Sequence, residues 1–168
     1  GVNELATIEI LLVIFSLSSY SLDAFAHSAE SSIGVSIGSR NKKNIYKAIR
    51  ITTELALFLS IIIGIVLYVS NSYLISIFTN IPALINLTIG LWGLVVITPF
   101  IAMSAFQLDG IFIGATLAKE MRNCTIFSSL IFFIILEYWF ESNLDLKGLY
   151  SCFLLFLILR GFFLTIYL

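Results

Sequence analysis

Phe106-Gln107-Leu108-Asp109-Gly110-Ile111-Phe112-Ile113-Gly114-Ala115-Thr116 sets a carboxylate inside an apolar run covering residues 83–117, too long for the apolar stripe of a soluble surface helix. An aspartate at the centre of a spanning helix costs roughly 3 kcal/mol on insertion scales. It therefore faces a bundle interior or a wet cavity and marks an ion or substrate path. Asp109 is the first functional candidate.

Working outward, the 168 residues are 60% hydrophobic and 11% charged, with a mean hydropathy of +1.06. Soluble domains carry about 25% charged residues, so the chain reads as one polytopic membrane bundle over residues 1–168 with no soluble domain. The net charge of −1 and the absence of a basic stripe with interleaved aromatics exclude nucleic-acid binding. Gly1-Val2-Asn3-Glu4 lacks both an initiator Met and the charged region of a cleavable signal peptide, and reads as the start of a fragment.

Runs long enough to cross a hydrocarbon core, about 20 residues, fall near 5–38, 45–70, 83–117, 125–140 and 148–168. A helix satisfies its own backbone in lipid, and the runs lack the short alternating segments of a barrel, so the fold class is all-α with about five spanning helices. Arg40, Lys42, Lys43, Lys47 and Arg50 crowd the first connection, and Lys119 and Arg122 the third, whereas 71–82 carries no charge. Basic loops face the cytoplasm, which puts the start of the first helix outside and the C-terminus inside. The net acidic 141–147 connection then lies outside. Cys124 and Cys152 fall at opposite faces, so no disulfide is expected between them. The first and third runs exceed one crossing, and Pro99 is expected to bend the third by removing a backbone hydrogen bond. An odd span count with an outside start describes a larger bundle lacking at least one preceding helix.

On the first helix Ser16, Asp23 and Glu30 recur every seven residues, with Tyr20 and His27 between them and Glu9 above, one polar stripe at 3.6 residues per turn. Asp23 and His27, at i,i+4, are placed to hydrogen-bond as a proton relay. His27 is the only histidine and cannot complete a metal site, so no metal is expected. Glu54 is expected to pair with Arg50. Glu137 and Glu141 read as interfacial beside Tyr138 and Trp139. Arg160, deep in the last run, needs a carboxylate, a backbone carbonyl or a lipid headgroup. No phosphate loop, Ser/His/Asp set or Cys-x-x-Cys is present, and no enzyme and no cofactor are expected.

Leu22-Asp23-Ala24-Phe25-Ala26-His27-Ser28-Ala29-Glu30, Gly38-Ser39-Arg40, the Phe106 to Thr116 string and Met121-Arg122-Asn123 resemble the DinF-like branch of the MATE (multidrug and toxic compound extrusion) transporters. Ala24, where that family usually has glycine, and Ile8-Glu9, where it has a polar amide pair, depart from the pattern. The resemblance implies part of the C-terminal lobe of a twelve-helix, multi-pass inner-membrane antiporter, entered at that lobe's second helix, with the N-terminal lobe as its partner. It also implies that Asp109 matches a C-half acidic residue used in cation coupling by the NorM branch, much of the coupling in the DinF-like branch being assigned to the N-half.

The function expected is efflux of amphipathic or cationic small molecules in exchange for H⁺ or Na⁺, along a pathway drawn from Asp109, Gln107, Asp23, His27 and Glu30. Asp109 is expected to line a cavity, with Gln107 or a first-helix polar group within reach. A carboxylate in a low-dielectric cavity holds a proton or a cation but not both cheaply, and that competition gives exchange. A lipid-linked precursor flippase of related fold would instead need basic cavity residues, of which Arg160 is the main one. A non-transporting membrane fragment is the remaining alternative.

Overall fold

The computed structural model describes residues 1–140 and 145–168, apart from the side chains of 139 and 140. Glu141 and the side chain of Trp139 therefore lie outside the described residues. Among the described residues the chain forms six helices: α1 (Val2–Gly38), α2 (Lys42–Val69), α3 (Asn71–Phe78), α4 (Pro82–Gly114), α5 (Ala118–Phe140) and α6 (Leu146–Tyr167). All but α3 are long and apolar enough to cross a membrane. The all-α transmembrane bundle read from the sequence is the observed fold.

The helices begin ahead of the apolar segments and end at or just short of their last residues. The 37 residues of α1 and 33 of α4 exceed one bilayer crossing at the helical rise. Lys42, Lys43, Lys47 and Arg50 lie on the first turns of α2, capped by Asn41 accepting from the Lys43 amide, and Lys119 and Arg122 on the first turns of α5. Lys42, Lys43, Lys119 and Arg122 are helical where the sequence reading had connections, because charge ends an apolar segment but not a helix whose backbone bonds continue into water. The 71–82 connection holds α3 for a similar reason: Leu74, Ile75, Ile77 and Phe78 repeat at helical spacing, and Ile75 is fully buried. Thr116, with φ 60, takes the left-handed position that ends α4, its amide bonding Ile113 and the Leu117 amide bonding Phe112.

α4 is the central helix, packed on α1, α2 and α6, while α5 packs chiefly on α6. The core lies in layers. At one end Ile10, Leu11 and Ile14 of α1 meet Leu67, Ile75, Leu91, Trp92, Tyr150 and Leu154. Trp92 donates to the Leu67 carbonyl at 2.9 Å, and the Thr98 and Tyr150 hydroxyls lie 3.0 Å apart. At the other end Ala29 and Ile33 meet Leu108, Ile111, Phe112, Cys124 and Leu164. This pairing makes α1, α4 and α6 run one way and α2 and α5 the other. Cys124 sits in the second layer and Cys152 beside the first, and both are free and buried. Buried hydroxyls such as Ser18, Thr88 and Ser128 donate to the carbonyl four residues back, which satisfies them without a partner helix.

Candidate functional site

The crossing of α1 and α4 positions everything else. A Cβ at Gly110 would overlap the Ala26 carbonyl oxygen and stand 2.7 Å from its carbon; one at Gly114 would overlap the Glu30 carbonyl oxygen and stand 3.0 Å from its carbon. Gly110-x-x-x-Gly114 is thus a small-residue seam that lets the two backbones touch. The seam sets the 23–30 stretch of α1 beside the 109–114 stretch of α4, and Asp23 comes within electrostatic reach of the Asp109 carboxylate.

Asp109 itself turns toward α6. Its Oδ2 accepts from Arg160 Nη2 at 2.6 Å, with only 16% of the aspartate side chain and 26% of the arginine exposed. Among the described residues Asp109 Oδ1 and Arg160 Nε are buried without a partner, so the pair is held by one contact where both groups have capacity for two. Gly161 brings α6 close: a Cβ there would stand 2.5 Å from Ser104 Oγ. The sequence showed that Arg160 needed a partner, and the fold selects the carboxylate among the three choices.

Gln107 does not join this site. It is buried and donates to Thr52 Oγ1 at 2.8 Å on α2. Two residues apart on a helix means about 200° of rotation, so Gln107 and Asp109 serve opposite faces of α4, and the expectation of Gln107 near the Asp109 carboxylate is corrected. Thr52 and Thr53, its neighbours, carried no signal in the sequence because a helical threonine can satisfy its own hydroxyl, as Thr52 does by donating to the Ala48 carbonyl.

On α1, Asp23, His27 and Glu30 share one stripe, as the seven-residue spacing requires. His27 Nδ1 lies 3.2 Å from Glu30 Oε2. Its Nε2 is 3.7 Å from Asp23 Oδ2, beyond a hydrogen bond. The direct bond therefore goes to Glu30, three residues on, rather than to Asp23. Asp23 is 51% and His27 71% exposed, so this face of α1 is left open by the described helices.

The remaining candidates are quickly placed. Pro99 is buried inside α4, which continues past it to Gly114. Arg50 and Glu54 pair at 2.7 Å on the exposed face of α2. Glu9 and Glu137 are exposed. A cavity of about 530 Å³ opens where α1, α4 and α6 begin, lined by Glu4, Asn86, Asp145 and Lys147, and none of the pathway candidates lines it.

Comparisons with known proteins agree with this architecture. Residues 1–139 match the MatE family. Over 123 residues the chain is 27% identical to DNA damage-inducible protein F of Escherichia coli (strain K12), an alignment that takes in 73% of this chain and 27% of that protein. The matched stretch is thus about a quarter of the relative's length. No solved structure matches. With five membrane-length helices among the described residues and a family match over most of its length, the chain belongs to the MatE family, as a DinF-like member.

Proposed function

We propose that the chain is the C-terminal-lobe part of a secondary-active antiporter that exports amphipathic or cationic small molecules in exchange for H⁺ or Na⁺. The observation that carries this reading is the linked set of ionisable groups at the α1/α4 crossing: Asp23, His27 and Glu30 on an open face, with Asp109 within electrostatic reach behind them. Carboxylates at such a place are costly unless they take up a cation or a proton. In this reading the N-terminal lobe stands across the open face of α1, and the cation moves between the stripe and Asp109. Na⁺ or H⁺ would be held by these side chains alone, without a cofactor. The flippase alternative loses its main basic residue, since Arg160 is engaged by Asp109.

The test is transport by the full-length protein reconstituted in vesicles with ethidium inside. A proton or sodium gradient is expected to drive ethidium movement, and Asp23→Asn with His27→Gln to lower the initial rate at least tenfold with insertion unchanged. Ethidium movement that ignores both gradients would remove the antiporter reading; a double variant as fast as wild type would remove the stripe from the pathway.

The same reading places the protein in the inner membrane with the Arg40 to Arg50 end and the C-terminus in the cytoplasm. A cysteine introduced at Asn41 is expected to stay unlabelled by an impermeant thiol reagent in intact cells and to be labelled after lysis. Labelling from outside would reverse the topology.

A further inference from the structure

Arg160 is set apart from the other eight Lys and Arg residues, which lie at 40–50, 119–122 and 147, near helix ends. It sits two-thirds along α6, and its guanidinium meets Asp109 at 2.6 Å. A guanidinium does not lose its proton in a protein, so it cannot neutralise itself when its partner leaves. It needs an anion. The pair is nevertheless incomplete, with Asp109 Oδ1 and Arg160 Nε both buried and unpartnered. A purely structural arginine clamp favours the two-bond fork, which satisfies both groups. Here, among the described residues, the carboxylate keeps an oxygen free.

From this geometry, and resting on the cation-exchange reading above, we propose that Arg160 is a tethered cation that occupies Asp109 between cargoes: the exchanged cation enters by displacing the guanidinium and leaves when the guanidinium returns. Two features of the packing serve this role. Gly161, next in sequence, lets α6 approach Ser104 so closely that the tether reaches α4. The α1/α4 seam, on another side of α4, brings the Ala26 and Glu30 backbone of α1 against Gly110 and Gly114. In this proposal Asp109 has its built-in occupant from α6 and receives the exchanged cation from the α1 side. Arg160 acts through Asp109 and is a positioning residue, tuning how tightly a cation is held.

Removing the tether removes a competitor, so cations bind more tightly and leave more slowly. In the full-length protein, with tetraphenylphosphonium as the probe, Arg160→Gln is expected to lower the KM for gradient-driven transport about tenfold and to lower kcat as well. Arg160→Lys, which keeps a tethered charge, is expected to return both toward wild type. Arg160→His keeps the site filled only when the imidazole is protonated; its KM relative to wild type is expected to fall as pH is raised from 5.5 to 8, and this variant carries the test if Arg160→Gln does not fold. A wild-type-like or raised KM in folded Arg160→Gln, or a pH-independent ratio for Arg160→His, would overturn the tether while leaving antiport standing. Absence of gradient-driven probe transport in the wild type would remove both.

Discussion

Gly110→Leu is expected to separate α1 from α4 and to be the most damaging single apolar substitution in the chain. Even the first carbon of a side chain at this position overlaps the Ala26 carbonyl oxygen and stands 2.7 Å from the carbonyl carbon. Those are backbone atoms in the middle of a helix, which cannot rotate away as a side-chain tip does. The two helices must part, and with them the Ala29, Ile33, Ile111 and Phe112 layer. Overpacking costs about 1–3 kcal/mol where neighbours can yield, so about 3 kcal/mol or more is expected here. Each kcal/mol moves the melting temperature by roughly 2–4 °C in a chain of 150–250 residues and by less in a longer one, so a fall of several degrees is expected. Gly90→Leu is the control, because a Cβ there meets nothing within 4 Å. Equal melting temperatures for the two variants in the purified full-length protein would show that the seam does not hold the bundle.

The second large effect is expected from Asp109→Asn, through Arg160. The amide keeps the shape but loses the charge, leaving a mostly buried guanidinium that cannot discharge itself. Removing one partner of a buried pair costs about 3–5 kcal/mol, and the residual exposure of Arg160 puts the expectation near the lower figure. Arg160→Gln should cost less, since an unpaired aspartate can take up a proton and become neutral. Combining the two changes should then recover stability, with a coupling of about 2 kcal/mol in a double-mutant cycle read by thermal unfolding. Additive losses, within about 0.5 kcal/mol, would mean that the 2.6 Å contact contributes nothing to the fold. The same measurements separate stability from transport: a folded Asp109→Asn protein that still couples export to a gradient would assign Asp109 to packing alone.

Much of the site was legible because helical periodicity is a property of the chain. Residues 16, 20, 23, 27 and 30 must share a face once α1 is a helix, and an arginine in an apolar run must have a partner. The periodicity also contained what the reading passed over. Gln107 and Asp109 are two positions apart and so cannot share a partner on one neighbouring helix, and Gly110 and Gly114 carry the spacing of a close helix seam in plain view. Element ends were less legible, as α3 and the first turns of α2 and α5 show, because an apolar run records contact with lipid or core rather than the continuation of backbone hydrogen bonds.

The sequence by itself determined that this chain crosses a membrane, that it does so as helices, and that Asp109 and Arg160 both require company inside it. These conclusions follow from composition and from the cost of bare charge and bare backbone in hydrocarbon, which act on each segment independently of the others. Only the tertiary structure decided that the two residues satisfy each other, that Gln107 turns instead to Thr52, and that the Asp23 stripe stays open beside them. Fifty-one positions separate Asp109 from Arg160, and no local periodicity spans that distance. What joins them is close approach where glycine leaves room, the α4 backbone on that of α1 at Gly110 and the α6 backbone on the Ser104 side chain of α4 at Gly161, and that depends on which helix lies against which.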